Sequence, residues 1–412
     1  MADRGQLEFS LRGATGAERV AGVAVKQLVA VDLPDRESNQ HEFNGVAQLR
    51  EILGLERIER GLIRWFELRD DEVEFTGLAS RFTWYDARED KPRAAEWRFY
   101  YYSPHALANA REGDFVFLLA LGEGRGRVVH AYVVAQGSTW ERQLRWLFGL
   151  GPEAERKWAV RDATELRVRA KSIPAFDLLE SLELEEPAAA TPAPALALVR
   201  NRFGDVFPST WEFSAFAREE LGLSDEIDTD ELLIRWIERE EELFRALEEY
   251  IVRRKLEGGF SNVDDFIGFS LSVHNRRKSR MGYALENHLR AILEDREIPH
   301  SYNEETENRA RPDFLFPGIE QYRDESFPPD RLHMLGAKST CKDRWRQVLS
   351  EAERIPEKHL ITLEPGISEG QTNEMRASGL RLVVPAGLHD TYSAPQRAWL
   401  LTLEGFLELV RE

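Results

Sequence analysis

A single cysteine, Cys341, stands in a chain of 412 residues. That scarcity excludes an intramolecular disulfide and any cysteine-based zinc site, and it fits a reducing compartment. Cys341 itself reads as a small buried thiol or as a nucleophile. No run of about 20 apolar residues is present to cross a membrane. The chain opens Met-Ala-Asp-Arg-Gly, without the apolar stretch of a signal segment. A cytoplasmic protein with no membrane contact is the expectation. No GxxxxGK[ST] phosphate loop, HExxH or GxSxG motif occurs, and nine histidines are scattered without metal-ligand spacing.

Positive charge is also in short supply. Lysine and arginine number 55 against 73 aspartates and glutamates, a net charge of −18. As a sum this argues against nucleic-acid binding, because neutralising phosphates takes lysine and arginine. Distribution matters more than the sum. Much of the acid lies between Asp225 and Glu249, which reads as a solvated helix face. Base gathers in Arg276-Arg277-Lys278-Ser279-Arg280 and in Lys342-Asp343-Arg344-Trp345-Arg346. The first cluster reads as a helix surface or as a DNA contact. The second flanks the residues singled out below, where phosphate or base contact is expected.

Hydrophobic residues make up 42% of the chain, enough for sizeable cores, and the length predicts two or three domains. Alanine and proline dominate from Glu185 to Leu196, the composition of a semi-extended linker. The expected division is residues 1–184, a linker over 185–197, and residues 198–412. The first part looks β-rich. Val73–Tyr85, Trp97–Tyr102, Asp114–Leu121 and Arg127–Gln136 carry valine and aromatic residues separated by turn signals. They predict a small barrel or sandwich followed by a helix over Thr139–Phe148, with Thr139 as its N-cap. The aromatics alternate as strand cores do. The second part predicts a long helix from Asp228 to Leu256, another opening at Ser261, and a third over Ser279–Asp295 with Tyr283, Leu285, Leu289 and Ile292 on one face. Strands at Phe314–Phe316, His333–Thr340, His359–Leu363 and Leu380–Val384 then alternate with helices at Lys342–Ile355, Glu369–Ala377 and Ala394–Val410. That order predicts a central mixed sheet flanked by helices.

Within this second part, Arg311-Pro312-Asp313 precedes Lys338 in the apolar run His333-Met-Leu-Gly-Ala-Lys338, and Glu351 follows. Asp313 and Glu351 are hard oxygen ligands suited to Mg²⁺. Lys338 would orient or help deprotonate a water and balance charge in a phosphodiester transition state. A strand from Lys338 to Lys342 advances about 13 Å, and a helix from Lys342 to Glu351 returns about 13.5 Å. A βα unit of any such length fits equally. Glu286, on the preceding helix, adds a possible ligand directly or through water. Taken singly, each has a plain reading: Asp313 capping a turn, Lys338 paired with Glu351, Glu286 on the surface. A lysine in an apolar strand is harder to set aside, because burying an unpartnered charge is costly. Tyr322 reads as a nucleophile or as a packed, hydrogen-bonding tyrosine.

These residues carry a resemblance. The runs Ser272-Val-His-Asn-Arg-Arg-Lys-Ser-Arg280, Arg311-Pro-Asp-Phe-Leu-Phe-Pro317, Lys338-Ser-Thr-Cys-Lys-Asp-Arg-Trp-Arg-Gln347 and Ser378-Gly-Leu-Arg-Leu-Val-Val-Pro385 resemble the catalytic domain of EcoRII-like type II (type IIE) restriction endonucleases. The resemblance implies the PD-(D/E)xK nuclease superfamily and a restriction-endonuclease-like α/β/α fold. It also implies Mg²⁺ dependence and a homodimer that cuts both strands of double-stranded DNA. The catalytic set it implies is Asp313, Lys338, Glu351 and Glu286, with Asp313 and Glu351 on the metal. Gly336 stands where the wider superfamily has an acidic residue, and Glu351 takes over that role in this subgroup. Lys342, Asp343 and Arg344 would read base edges, since lysine and arginine donate to guanine and aspartate accepts from cytosine. A CC/GG half-site around a central base pair is implied, with a cognate DNA methyltransferase acting on the same site. Arg276, Arg277 and Lys278 are further candidates. The N-terminal half resembles the family's β-rich pseudobarrel effector domain more weakly, and Arg81, Lys91 and Arg93 are its candidate DNA contacts. Two other readings stay open: a repair or mobile-element nuclease of the same fold with looser specificity, and a catalytically silent DNA-binding regulator.

Overall fold

The computed structural model describes residues 20–33, 42–43, 46–69, 73–102, 107–122, 126–150, 157–162, 193–222, 227–341 and 344–411. The N-terminal region is built on one eight-stranded sheet in the order β2-β5-β4-β3-β7-β6-β1-β8. Its strands are β1 (Val20–Gln27), β2 (Glu42–Phe43), β3 (Ile58–Leu68), β4 (Val73–Asp86), β5 (Trp97–Tyr101), β6 (Phe115–Leu121), β7 (Val128–Val134) and β8 (Ala159–Asp162). Strands β3 and β7 run parallel; the remaining pairs are antiparallel. The sheet curls. A helical turn over Val46–Leu49 and helix α1 (Arg50–Leu53) touch both β8 and strands nearer the opposite edge.

Period-two alternation explains why a single sheet has two cores. In β6, Phe115, Phe117, Leu119 and Leu121 enter one apolar cluster, while Val116, Leu118 and Ala120 enter the other. Covered on both faces, β6 is apolar throughout and every residue is buried. One face is closed by helix α2 (Thr139–Leu147), whose Trp140, Leu144 and Leu147 lie at helical spacing. Each side chain buried this way contributes roughly 1.5–3 kcal/mol. The N-cap of α2 is Ser138, which accepts from the Glu141 N–H, and not Thr139 as its sequence suggests. Thr139 is buried and has a different task, described below.

The expected linker runs into a helix. Helix α3 spans Ala193–Phe203, so the alanines and leucines at its end are already helical, and residues 185–192 lie outside the described residues. Helices α4 (Thr210–Leu221) and α5 (Thr229–Gly258) pack with α3 in a cluster of their own, which includes Val199, Phe213, Phe216, Leu243 and Leu247. Asp228 caps α5, accepting from the Asp230 and Glu231 N–H groups. The two helices expected after Ser261 are one helix, α6 (Val263–Asp295), capped by Asn262. Met281, Leu285, Leu289 and Ile292 bury against the C-terminal core, whereas Tyr283 faces solvent at 49% exposure.

The acidic stretch of α5 is not wholly a solvated face. Glu240, Glu241 and Glu248 are buried against α6. Glu241 pairs with Arg280, Glu248 with Arg277, and Glu240 lies 3.0 Å from His288. The acid of one helix and the base of the next therefore neutralise each other along their contact.

The C-terminal sheet has the order β13-β12-β11-β10-β9, with β9 (Ser301–Tyr302), β10 (Phe314–Phe316), β11 (His333–Ala337), β12 (Lys358–Ile361) and β13 (Leu380–Val383). Strands β11, β12 and β13 are mutually parallel and β9, β10 and β11 antiparallel, so the sheet is mixed as the element order predicts. Helices α7 (Ile319–Arg323), α8 (Trp345–Val348), α9 (Glu369–Ala377), α10 (Ala394–Arg397) and α11 (Leu403–Arg411) complete the layers. Two expectations fail locally. The helix predicted over Lys342–Ile355 is only the four residues of α8, and the one predicted over Ala394–Val410 breaks into α10 and α11. At the second break, Leu401 adds to the sheet beside Val383.

Candidate functional site

Four residues converge at one end of β10 and β11. Asp313 sits immediately before β10, whose register pairs Phe314 with Leu335 and so carries Asp313 alongside the end of β11. The Ala337 N–H donates to Asp313 Oδ2 at 2.7 Å. Lys338 follows the last residue of β11, its own N–H held by the Ile361 carbonyl. Its Nζ lies 2.9 Å from the same Asp313 Oδ2, and both side chains are largely buried. Lys338 is therefore paired with Asp313, and its position is at the strand's exit and not within it.

Glu351 lies in a bend after α8 and not on a helix. The short helix and the turns that follow still return the chain to the site. Burial first, and then the neighbouring Asp313 carboxylate, push the Glu351 carboxyl up to about 7, while Lys338 and Lys358 draw it down. Among the described residues its Oε2 is buried with no hydrogen-bond partner. Glu286, deep in α6, is raised by burial and by Asp313, and it accepts a hydrogen bond from Tyr302 Oη at 2.7 Å. Tyr302 was not singled out by its sequence. It becomes visible only once β9 pairs with β10 and brings it beside α6.

The position of Gly336 has a steric cause. A Cβ there would lie 3.1 Å from Val348 Cγ2 and 3.4 Å from Leu360 Cδ1. An acidic side chain two residues before the lysine has no room without displacing those aliphatic groups.

The remaining candidates are placed as follows. Arg344 is exposed at the start of α8, its N–H bonded to the Cys341 carbonyl, while Lys342 and Asp343 lie outside the described residues. Arg277 is engaged by Glu248, and Arg276 lies over the Phe207 ring. Lys278 is on α6, with its side chain outside the described set. Tyr322 is buried, donates to Glu307 Oε2 at 2.5 Å and accepts from the Arg354 N–H. Burial raises its hydroxyl above the ordinary tyrosine range. That is a packing role, not a nucleophile's. Cys341 is likewise fully buried, with its thiol pushed up by burial, which disposes of a nucleophilic role. In the N-terminal region Lys91 and Arg93 are exposed in the turn between β4 and β5, and Arg81 donates to the Arg60 carbonyl.

Comparison with known proteins concerns the C-terminal part of the chain. Residues 244–407 match the family model described as EcoRII C terminal. That stretch is similar to the C-terminal part of EcoRII. The type II restriction enzyme EcoRII of Escherichia coli is 44% identical over 202 residues, which are 49% of this chain and 50% of that enzyme. The chain thus spans about half the length of the curated relative it matches. Two solved structures, titled metal-depleted Ecl18kI in complex with uncleaved, modified DNA and metal-depleted Ecl18kI in complex with uncleaved DNA, are each 21% identical. Each covers 53% of this chain and 83% of the other, with TM-scores of 0.42 and 0.43.

The fit of a metal ion rests on the donors themselves. Among the described residues, no three of His, Cys, Asp and Glu are grouped closely enough to hold a metal ion as they stand. The buried, unpartnered Glu351 Oε2 and the adjoining Asp313 carboxylate are nevertheless hard oxygen donors that a divalent cation would suit. Lys338 Nζ holds Oδ2 of the Asp313 carboxylate.

Proposed function

We propose that the chain is a type II restriction endonuclease that hydrolyses double-stranded DNA at a short specific site, with CC/GG-type half-sites around a central base pair. The observation that carries this reading is the joining of Lys338, Asp313 and Glu351 in one partly buried place within an EcoRII-like region. Asp313 and Glu351 would hold Mg²⁺, with Glu286 contributing directly or through water. When bound, the ion supplies positive charge to the scissile phosphate and lowers the pKa of a water. Lys338 Nζ orients the attacking water and offsets charge on the phosphate oxygens. Asp313 keeps that ammonium in place, and the Ala337 N–H keeps Asp313 in place. Tyr302 fixes the Glu286 carboxylate by its hydroxyl. The products are a 5′-phosphate and a 3′-hydroxyl.

Lys342, Asp343 and Arg344, beyond the end of β11, would read base edges, and a homodimer would place one such site on each strand. A cognate DNA methyltransferase would protect the same sequence. The N-terminal sheet region would bind a second copy of the site and restrain the nuclease until it does. Supporting this restraint, helix α2 lies against the loop at the C-terminal end of β12, the end of the sheet at which Lys338 stands.

The test is digestion of unmethylated phage DNA by the purified chain, with and without Mg²⁺, followed by sequencing of the ends. Discrete Mg²⁺-dependent fragments with a common end sequence are expected. A smear would replace this reading with a loosely specific nuclease. No cutting of DNA rich in CC/GG sites would replace it with a silent DNA-binding protein.

A further inference from the structure

The contact between α2 and the loop after β12 has an unusual chemistry. Gln143 and Glu364 are 3% and 4% exposed, as deep as core residues, yet both are polar. Gln143 Nε2 donates to Glu364 Oε1 at 2.9 Å. The other oxygen, Oε2, accepts from the Cys341 N–H. Glu364 thus divides its two oxygens between the N-terminal region and the residue that precedes Lys342. Around it, Thr362 Oγ1 donates to the Ser339 carbonyl and accepts from the Glu364 N–H, and Tyr392 Oη donates to the Glu364 carbonyl. The chain between Lys338 and Cys341 is therefore tied from behind to one short segment.

The rest of the contact is polar as well. Thr139 Oγ1 donates to Gln371 Oε1 and accepts from the Ser368 N–H. Arg142 reaches Gln396 Oε1 at 2.9 Å and Glu369 at 3.3 Å. Approach is close, since a Cβ on Gly366 would lie 2.9 Å from Arg142 Cβ. An interface of hydrogen bonds is specific when closed but can be released, because water replaces its partners on opening.

We propose that Glu364 is a positioning residue for the recognition segment, and that Gln143 makes its position depend on whether α2 is docked. The proposal rests on the nuclease reading above for its meaning, but not for its geometry. With α2 docked, both carboxylate oxygens have donors, and Cys341 is held at a fixed place beside Lys338. With α2 withdrawn, Oε1 loses the Gln143 donor, the carboxylate is held by one bond fewer, and the Cys341 N–H is held less firmly. Among these contacts, Glu364 is the side chain that links α2 to the residue before Lys342.

The experiment uses the full chain with three substitutions, Glu364→Ala, Glu364→Gln and Gln143→Ala. Hydrogen exchange is measured at the Cys341 amide, and cutting is compared on the preferred duplex and on one with a single base pair changed. Glu364→Ala is expected to speed Cys341 exchange roughly tenfold or more, because a hydrogen bond to a charged acceptor is lost. It should also lower the discrimination between the two duplexes by about tenfold. Glu364→Gln should restore both, since its amide oxygen still accepts from Cys341 and its amide nitrogen can donate to a flipped Gln143. Gln143→Ala should speed Cys341 exchange by about threefold, the smaller loss of a neutral donor. Unchanged exchange at Cys341 in Glu364→Ala, or unchanged discrimination despite faster exchange, overturns the proposal. Should Glu364→Ala not fold, Gln143→Ala decides alone, and unchanged Cys341 exchange there overturns it. If the unsubstituted chain cuts no DNA, the nuclease reading fails, while the exchange measurements still decide the link from Gln143 to Cys341.

Discussion

Lys338 Nζ and Asp313 Oδ2 are 2.9 Å apart, in a place where both side chains are about one-sixth exposed. A buried ammonium needs a partner, and this carboxylate supplies it. The pair is therefore stable as it stands and is also the centre of the proposed chemistry. Lys338→Ala leaves Asp313 with the Ala337 N–H and should keep the fold. The expected outcome is DNA binding in a gel-shift assay, with the cutting rate lowered by about 10²–10⁴-fold. Undiminished cutting by this variant would remove Lys338 from the mechanism.

Glu351 gives a pH dependence with a definite sign. Its carboxyl titrates near 7 in the folded chain against 4.5 ordinarily, burial being the main cause and Asp313 the second. A raised carboxyl binds more protons folded than unfolded. Stability is therefore full below about 4.5 and falls as pH rises towards 7. Glu351→Gln removes this loss. Its stability should exceed that of the unsubstituted chain at pH 8 by an amount on the order of 2 kcal/mol, seen as a higher melting point, and the two should match near pH 4. Mg²⁺ should raise the melting point of the unsubstituted chain at pH 8 but not that of the variant. Cutting should increase between pH 6 and 8, as the ligand loses its proton. Equal melting points at both pH values would contradict this account of Glu351.

The crowding at Gly336 makes a separate prediction. Moving the carboxylate back to the position used in the wider superfamily, as Gly336→Asp in a Glu351→Ala background, should not restore cutting. The new side chain meets Val348 and Leu360, and overpacking of this kind costs typically 1–3 kcal/mol. Thermal melting and cutting rate measure both halves of the claim. Restored cutting would show that the site is more plastic than its packing suggests.

What could be read from the sequence followed from local chemistry. The strand β10 and the helix α9 stand where their residue types place them, because apolar triplets and a serine-capped helix are decided within a few residues. Asp313, Lys338 and Glu351 stand out in the sequence because their residue types suit one chemistry, and the fold brings the three together. The helix expected to carry Glu351 was not real: Trp345 and Val348 bury against the core, but α8 stops after four residues and the chain turns to enter β12. Strands β1 and β3 were missed: β1 pairs with β6 and β8 and β3 with β7, all distant in sequence, although β3 also forms a hairpin with the next strand, β4. Tyr302, Gln143 and Glu364 carried no signal at all, since each takes its role from a partner distant in sequence. Thr139 shows the same limit at one residue. Its type suits a cap, but Ser138 takes the cap and Thr139 bonds to the other end of the chain.

The contact of α5 with α6 tests how the buried charges are balanced. Arg280 pairs with Glu241, both below a tenth exposed, and its guanidinium lies 4.3 Å from the centre of the Phe244 ring. Glu241 keeps a second partner in Arg245 at 2.6 Å. Arg280→Met preserves the packing against Phe244 and removes one charge. Denaturant unfolding should show a loss of about 3 kcal/mol, because a buried carboxylate is left only partly compensated. Glu241→Gln combined with Arg280→Met should recover part of that loss, since no strong charge is then stranded. A single substitution without effect would mean that Arg245 alone satisfies Glu241.

If α2 restrains the nuclease by holding the loop that carries Glu364, removing it should release the activity. A chain beginning at residue 191 keeps α3 through α11 and their cores, but loses Thr139, Arg142 and Gln143. It should cut a plasmid bearing one site faster than the full chain, by about 5- to 100-fold, the range of an ordinary coupling between two sites. A second duplex carrying the same site, added in trans, should speed the full chain and leave the shortened one unchanged. By linkage, the coupling must run both ways, so a substitution that weakens docking, such as Arg142→Ala, should lower the concentration of second duplex needed for half-maximal speed. Equal or slower cutting by the shortened chain would mean that the docked helix supports the site and does not restrain it.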